Sequence, residues 1–266
     1  MTVENILLKT NNDEGILRLT LNNPKNQNTL SEQMLKLLKA EFSKASNDKS
    51  VRVIILAANG PIFCAGHDLK EITEARKGKD SGEGYFKRLF HSCSDLMQLI
   101  VNNPKPVIAE INGIATAAGC QLVASCDLAI ATNDSKFATP GVNIGLFCST
   151  PMVALSRNIA KKHAMEMLLT GDMISAQHAK EVGLINNYVD EINISNETLI
   201  LAKKIAGKSL MTLKMGKQAF YSQQELELSK AYELTSQVMI ENILKEDAKE
   251  GIDAFINKRN PKWKDT

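Results

Sequence analysis

Val107-Ile108-Ala109-Glu110-Ile111-Asn112-Gly113, followed by the small-residue run Ala117-Ala118-Gly119-Cys120-Gln121-Leu122-Val123-Ala124-Ser125, decides the fold class. Residues 107–111 have the length and branching of a strand buried on both faces. Asn112-Gly113 opens a loop. Residues 117–125 read as a short helix, and Leu128 to Ala131 returns to strand. Strand, loop, helix and strand in succession imply a layered α/β arrangement.

The same grammar extends upstream. Ile6 to Lys9 and Ile16 to Leu21 read as short strands joined by the hairpin-type connection Asn11-Asn12-Asp13-Glu14-Gly15. Asn22-Asn23-Pro24-Lys25-Asn26 is a turn. Met34, Leu35, Leu38 and Phe42 stand at helical spacing and predict a helix from Ser31 to Ala45. Val51 to Ala57 is a second doubly buried strand, ended by Asn59-Gly60-Pro61. Tyr85 to Val101 reads as a helix with Phe86, Leu89, Phe90, Cys93, Leu96, Met97 and Ile100 on one face.

Downstream of about residue 150, helices dominate, broken at Thr170-Gly171-Asp172 and Asn186-Asn187. Ser175 is a good N-cap for a helix that Gly183 stops. Leu226 to Asn257 reads as one long helical stretch of mixed charge, suited to subunit packing or to covering a ligand. No low-complexity linker and no fixed-period repeat is present.

Composition excludes several classes. With 266 residues the chain can bury a full core without staples. A formal net charge of +2 makes no electrostatic case for nucleic acid or an anionic membrane surface. No apolar run is long enough to span a bilayer, and the first ten residues lack a secretion signal or an Arg-rich transit pattern. Cys64, Cys93, Cys120, Cys126 and Cys148 are odd in number and form no C-x-x-C pair. They argue against disulfides and zinc, and for small buried core residues in a reducing compartment.

Two loops share a design. Val51–Ala57 leads into Phe63–Leu69, and Val107–Ile111 leads into Asn112–Gln121; each is rich in Gly and Ala at the turn. Small residues let a ligand approach the backbone. A helix N-terminus presents free N–H groups and partial positive charge. Two such turns converging on one point would form an oxyanion hole. Close packing of strand on helix is the alternative that this spacing leaves open.

The segments Gly60-Pro61-Ile62-Phe63-Cys64-Ala65-Gly66-His67-Asp68-Leu69-Lys70, Lys105–Ala115, Ala117–Leu122, Ser125–Ala131, Leu169–Asp172 and Ala179–Ile185 resemble, in order and over nearly the whole chain, the crotonase (enoyl-CoA hydratase/isomerase) superfamily. The resemblance implies a ββα spiral core over residues 1–200 with a C-terminal helical trimerisation region over 201–266. It implies an assembly of one trimer or a pair of trimers. It implies an acyl-CoA thioester as substrate, with no permanently bound cofactor or metal. The location it implies is cytoplasmic for a bacterial-type protein, or the mitochondrial matrix for a eukaryotic mature form.

Carried over residue by residue, the oxyanion-hole amides fall on His67 and Ala118. The CoA contacts fall on Lys25, Gln27, Cys64, Ala65, Asp68, Leu69, Lys70 and Gly113. Phe255 and Lys258 would reach the CoA from a neighbouring subunit. The two glutamates that position water in the family's hydratases fall on Gln121 and Gly141. Gln121 can hydrogen-bond water but cannot take its proton, and Gly141 can do neither. Losing a general acid or base costs about 10²–10⁴-fold, so hydration is expected to be weak or lost. A non-catalytic acyl-CoA binder is the competing expectation.

His67, of the one side-chain type that can titrate near neutrality, is the leading substitute for proton transfer; the alternative is that its backbone alone acts. Cys148 lies near the expected channel without an identifiable basic neighbour. Glu110 follows a buried strand and reads as a core or subunit contact. Asp68 reads as a helix cap and Asp127 as a turn residue. His91, His163 and His178 read as surface or interface residues, and Met165 and Met167 as core.

Overall fold

The computed structural model describes residues 5–266. The chain begins β1 (Leu7–Asn11), β2 (Ile16–Leu21), α1 (Glu32–Asn47), β3 (Val53–Ala58), β4 (Ile62–Cys64), α2 (Leu69–Ala75) and α3 (Glu83–Val101). It continues β5 (Val107–Ile111), β6 (Ile114–Thr116), α4 (Ala118–Ser125), β7 (Leu128–Thr132), β8 (Lys136–Ala138), α5 (Ser149–Asn158) and α6 (Lys161–Thr170). It ends β9 (Ile174–Ser175), α7 (Ala176–Glu181), β10 (Asn187–Val189), α8 (Ile194–Ala206), α9 (Leu210–Gln223), α10 (Leu228–Ile243) and α11 (Glu246–Ile256).

The long and short strands sort into two sheets. One has the order β1-β2-β3-β5-β7-β10, the other β4-β6-β8-β9. β3, β5 and β7 each give one strand to the first sheet and pass two or three residues later to β4, β6 and β8 in the second. Helices follow each pair, so the chain winds as a ββα spiral. β3–β5, β5–β7, β4–β6 and β6–β8 are all parallel, as successive turns of one winding direction require.

β3 is apolar throughout because both faces are covered. Ile54 and Leu56 join the main core with α1 and α3, while Val53, Ile55 and Ala57 face a second cluster with Ala202 and Ala206 of α8. Burying a side chain of this size contributes about 1.5–3 kcal/mol. Ser31 caps α1 by accepting from the Met34 N–H (3.2 Å), and Ser175 caps α7 through the His178 N–H.

Several expectations are corrected. Each doubly buried strand does not run straight into a helix: a short strand intervenes, β4 or β6. α2 starts only at Leu69, behind the cap Asp68, so His67 lies outside the helix. The stretch Leu226–Asn257 is two helices, α10 and α11, interrupted at Leu244-Lys245. Met167 is buried, but Met165 is 39% exposed and is not core. All five cysteines are free and buried. Among the described residues, no helix is long and apolar enough to cross a membrane.

Candidate functional site

Two residues with positive φ shape the site. Gly66 has φ +94°, and the loop leaves it toward His67. Ala117 has φ +51° and ψ −120°, a conformation that costs a non-glycine residue about 1–3 kcal/mol. Each immediately precedes one of the expected donor amides. Such strain persists only where the surroundings over-determine it, and here the Ala117 N–H is fixed on the Ala138 carbonyl (2.9 Å).

The two turns touch. A methyl group added to Gly66 would stand 2.9 Å from Cβ of Ala117 and 3.3 Å from the Ala118 nitrogen. Gly119 is as tight: a methyl there would overlap the Cys64 carbonyl oxygen. Glycine at both positions lets the two loops meet backbone to backbone. Among the described residues, neither the His67 N–H nor the Ala118 N–H donates a hydrogen bond. Ala118 is the first residue of α4, so the helix dipole reinforces its amide; His67 has no such support.

His67 and Ala118 line one cavity of about 520 Å³. Leu69, Ile72 and Phe90 form one wall, and the segment from Pro140 to Pro151 supplies the other. His67 and Cys148 are the only titratable side chains among its lining residues. The His67 ring meets Phe90 edge-to-face at 5.5 Å. Its Nδ1 lies 3.3 Å from the Leu30 carbonyl oxygen, so Nδ1 carries the hydrogen and donates. Nε2 is therefore the lone-pair nitrogen, and it is buried without a partner. Burial lowers the imidazole pKa, the Leu30 contact pulling the other way. The resting ring is neutral.

Gly141 lines the cavity, but the space a side chain would need there is filled. A methyl would stand 2.8 Å from Cys148 Sγ and 2.8 Å from the Leu146 oxygen. Burial raises the Cys148 thiol pKa, offset in part by the Gly141 backbone. Gln121 does not line the cavity. It is 4% exposed, one turn into α4, with Oε1 buried and unpartnered.

Ala65 and Leu69 line the cavity. Cys64 is wholly buried, and burial pushes its thiol up to about 12, so only its backbone could meet a ligand. Gly113 is packed where any side chain would strike the Pro61 carbonyl, which gives it a turn role away from the cavity. Lys25 sits in the 3-10 turn Pro24–Asn26, next to Gln27 at φ +55°. Asp68 accepts from the Lys70 N–H (2.8 Å) and the Glu71 N–H (3.4 Å), which makes it the expected cap. Phe255 is 86% exposed on α11, and neither it nor Lys258 lines this cavity.

Other candidates are structural. Glu110 accepts both guanidinium arms of Arg18 (2.6 and 2.8 Å) and the Ser195 hydroxyl (3.1 Å), tying α8 to the sheet. Asp127 does more than close a turn: it accepts from the Val107 N–H, from Lys217 Nζ and from the Tyr221 hydroxyl. His91 is exposed. His163 and His178 meet edge-to-face at 5.8 Å beside a separate cavity of about 90 Å³. No group of three or more metal-ligating side chains is found among the described residues.

Of the wall segment only Gly141 and Cys148 were read in the sequence; Ile144, Leu146 and Phe147 were not, nor was the half-exposed position of Phe90. Ile144, Leu146 and Phe147 within one turn were the available signal, since apolar residues in a loop need something to face.

The chain is 49% identical over 257 residues to the mouse (Mus musculus) enoyl-CoA hydratase domain-containing protein 3, mitochondrial, covering 97% of this chain and 84% of that protein. It superposes on the crystal structure of an enoyl-CoA hydratase from Mycobacterium smegmatis with a TM-score of 0.93 at 47% identity, covering 98% and 99% of the two chains. The crystal structure of human enoyl Coenzyme A hydratase domain-containing protein 3 matches with a TM-score of 0.91 at 48% identity, over 97% and 100%. With a spiral of parallel ββα turns, two small-residue turns meeting at one cavity, and the enoyl-CoA hydratase/isomerase family model matching residues 11–266, the chain belongs to the enoyl-CoA hydratase/isomerase (crotonase) family.

Proposed function

We propose that this chain binds an acyl-CoA thioester with its carbonyl oxygen between the N–H groups of His67 and Ala118. The observation that carries the reading is the pair of undonated amides, each set by a positive-φ residue, on one largely apolar cavity. Fixed donors aimed at a carbonyl stabilise the enolate that forms when an α-proton leaves, and one such donor is worth about 10²–10³-fold in rate. Lys25, Gln27, Ala65, Asp68, Leu69 and Lys70 would hold the CoA portion. Phe255 and Lys258 would reach it from a neighbouring copy in a trimer or hexamer. The exposed apolar side chains of Phe220, Leu228, Tyr232, Leu244 and Phe255 support such an assembly.

The chemistry most compatible with this lining is isomerase-type rather than hydratase-type. Gln121 and Gly141 supply no carboxylate, so hydration is weak. In that chemistry the neutral His67 ring would turn its buried, unpartnered Nε2 toward the acyl chain, take a proton from one carbon and return it to another while the enolate is held. Relatives named as mitochondrial support a mitochondrial location for a eukaryotic form; the cytoplasm is our reading for a bacterial one.

The test is titration calorimetry with an acyl-CoA against the S-alkyl-CoA thioether of the same length, which lacks the carbonyl. The thioester should bind at least about tenfold more tightly, roughly 1.4 kcal/mol; equal affinities overturn the reading.

His67→Ala should leave acyl-CoA affinity within about twofold and lower any isomerase turnover by about 10²–10⁴-fold. The pH profile carries a sign. Burial holds the imidazole pKa below its ordinary value. Turnover by a neutral base therefore persists below about pH 6.5 and falls only as pH drops through the lowered value. A profile already failing above pH 7 would argue against His67.

The absence of any carboxylate from the cavity lining favours a second reading, a binder without turnover. Tight binding of enoyl- and acyl-CoAs with no conversion would select it.

A further inference from the structure

Asn28, on the loop beside the site, is fully buried, at 0%. Its backbone is left-handed, φ +51°, directly after Gln27 at φ +55°. Its side chain is fully used. The amide nitrogen donates to the Asn59 carbonyl (2.9 Å) and the Ile62 carbonyl (2.7 Å), and Oδ1 accepts from the Asn23 N–H (2.7 Å). One side chain thus joins the Asn23–Thr29 loop to both ends of the bend between β3 and β4.

That clamp begins a ladder leading to His67. The Ala65 N–H donates to the Gln27 carbonyl (3.1 Å), and the Leu30 N–H donates to the Gly66 carbonyl (2.7 Å). The His67 ring donates from Nδ1 to the Leu30 carbonyl (3.3 Å). Every rung fastens residues 59–67 to residues 23–30. The peptide whose nitrogen is the His67 donor is the same peptide whose oxygen, on Gly66, Leu30 holds. The orientation of that N–H is therefore fixed from behind, through the loop that Asn28 anchors.

We propose that Asn28 is a positioning residue for the carbonyl-binding amide of His67, and that it couples this amide to the loop carrying Lys25 and Gln27. The proposal rests on the reading that the two amides grip a thioester carbonyl. Asn28 touches no ligand itself. Asparagine suits the post because it tolerates left-handed backbone and supplies two donors and an acceptor from one short side chain. Aspartate would keep the backbone tolerance and the bond from Asn23 but present oxygen to two carbonyls. Glycine would keep the backbone tolerance alone.

The test is difference infrared spectroscopy of a bound acyl-CoA labelled with ¹³C at the thioester carbonyl, in the wild-type protein and in Asn28→Asp and Asn28→Gly. A carbonyl gripped by two fixed donors absorbs at lower frequency than in water. The wild type should show that red shift, and both variants should lose at least half of it at saturating ligand, while affinity for coenzyme A itself falls only a few-fold. A general loss of stability does not reproduce this pattern, because the spectrum reads only folded, ligand-bound protein. If Asn28→Asp does not fold, Asn28→Gly carries the test. A variant that keeps the full shift overturns the positioning role and leaves the carbonyl grip standing. A wild type with no shift overturns both.

Discussion

Gly119→Ala is expected to unfold the region around the cavity and abolish acyl-CoA binding. A methyl there has no room, because it would overlap the Cys64 carbonyl oxygen and lie 2.8 Å from Cys64 Cβ. Cys64 is wholly buried on β4 and cannot retreat. The backbone must shift instead, and overpacking of a rigid site costs up to about 3 kcal/mol, occasionally more. For a chain of this size that corresponds to a fall in Tm of about 6–12 °C. The functional effect should exceed the stability effect. Gly119 follows Ala118 directly, so any displacement of α4 moves the Ala118 N–H away from that of His67. Calorimetry and differential scanning on the same variant measure both. A Tm within about 2 °C of wild type, with unchanged thioester affinity, would show that the two loops are not in the contact described.

The second large effect is expected at Lys217→Met. Lys217 is on α9 with its side chain only 8% exposed, and Nζ donates to Asp127 (2.7 Å) and to the carbonyls of Ile100 and Lys105 (both 3.1 Å). Burial lowers its pKa, while Asp127 pulls it back toward the charged form. Removing one member of a buried pair leaves the other's charge uncompensated, a change worth about 3–5 kcal/mol. Asp127 would keep the Tyr221 hydroxyl and the Val107 N–H, but two carbonyls would lose their donor. Methionine keeps the length of the stem, so the loss measures the charge and its hydrogen bonds rather than packing. Denaturant unfolding should show the full loss. The double variant Lys217→Met with Asp127→Asn should recover part of it. A single variant that costs less than about 1 kcal/mol would mean that the pair is screened as at a surface.

Much of the fold was legible because strands buried on both faces leave a strong mark. Val51–Ala57 and Val107–Ile111 carry apolar residues on both faces, and no amphipathic helix does that. The helix of Met34, Leu35, Leu38 and Phe42 was legible for the opposite reason, a single face. The short strands β4, β6 and β8 were not, because three residues carry no period. The break at Leu244-Lys245 was hidden, since neither residue disfavours a helix strongly.

At the site, Gly66 and Gly119 were visible as small residues, but the strained backbone of Ala117 was not. Alanine carries no sign that its neighbours force it to positive φ. Asp127 was read as a turn residue because its partners Lys217 and Tyr221 lie some ninety residues away, on a helix whose docking no local pattern announces.

The cavity has two sides drawn from separate parts of the chain. The donor amides belong to the turns after β4 and β6, while the facing wall is the stretch from Pro140 to Pro151, which follows β8. The spiral therefore stores grip and selectivity in different places. Substitutions in the 140–151 stretch can widen, narrow or reshape the chamber without disturbing the turns at Gly66 and Ala117. If the two amides grip an acyl carbonyl as proposed, a lineage built on this winding can exchange one acyl group for another by editing a single dozen-residue segment, and inherit that grip unchanged.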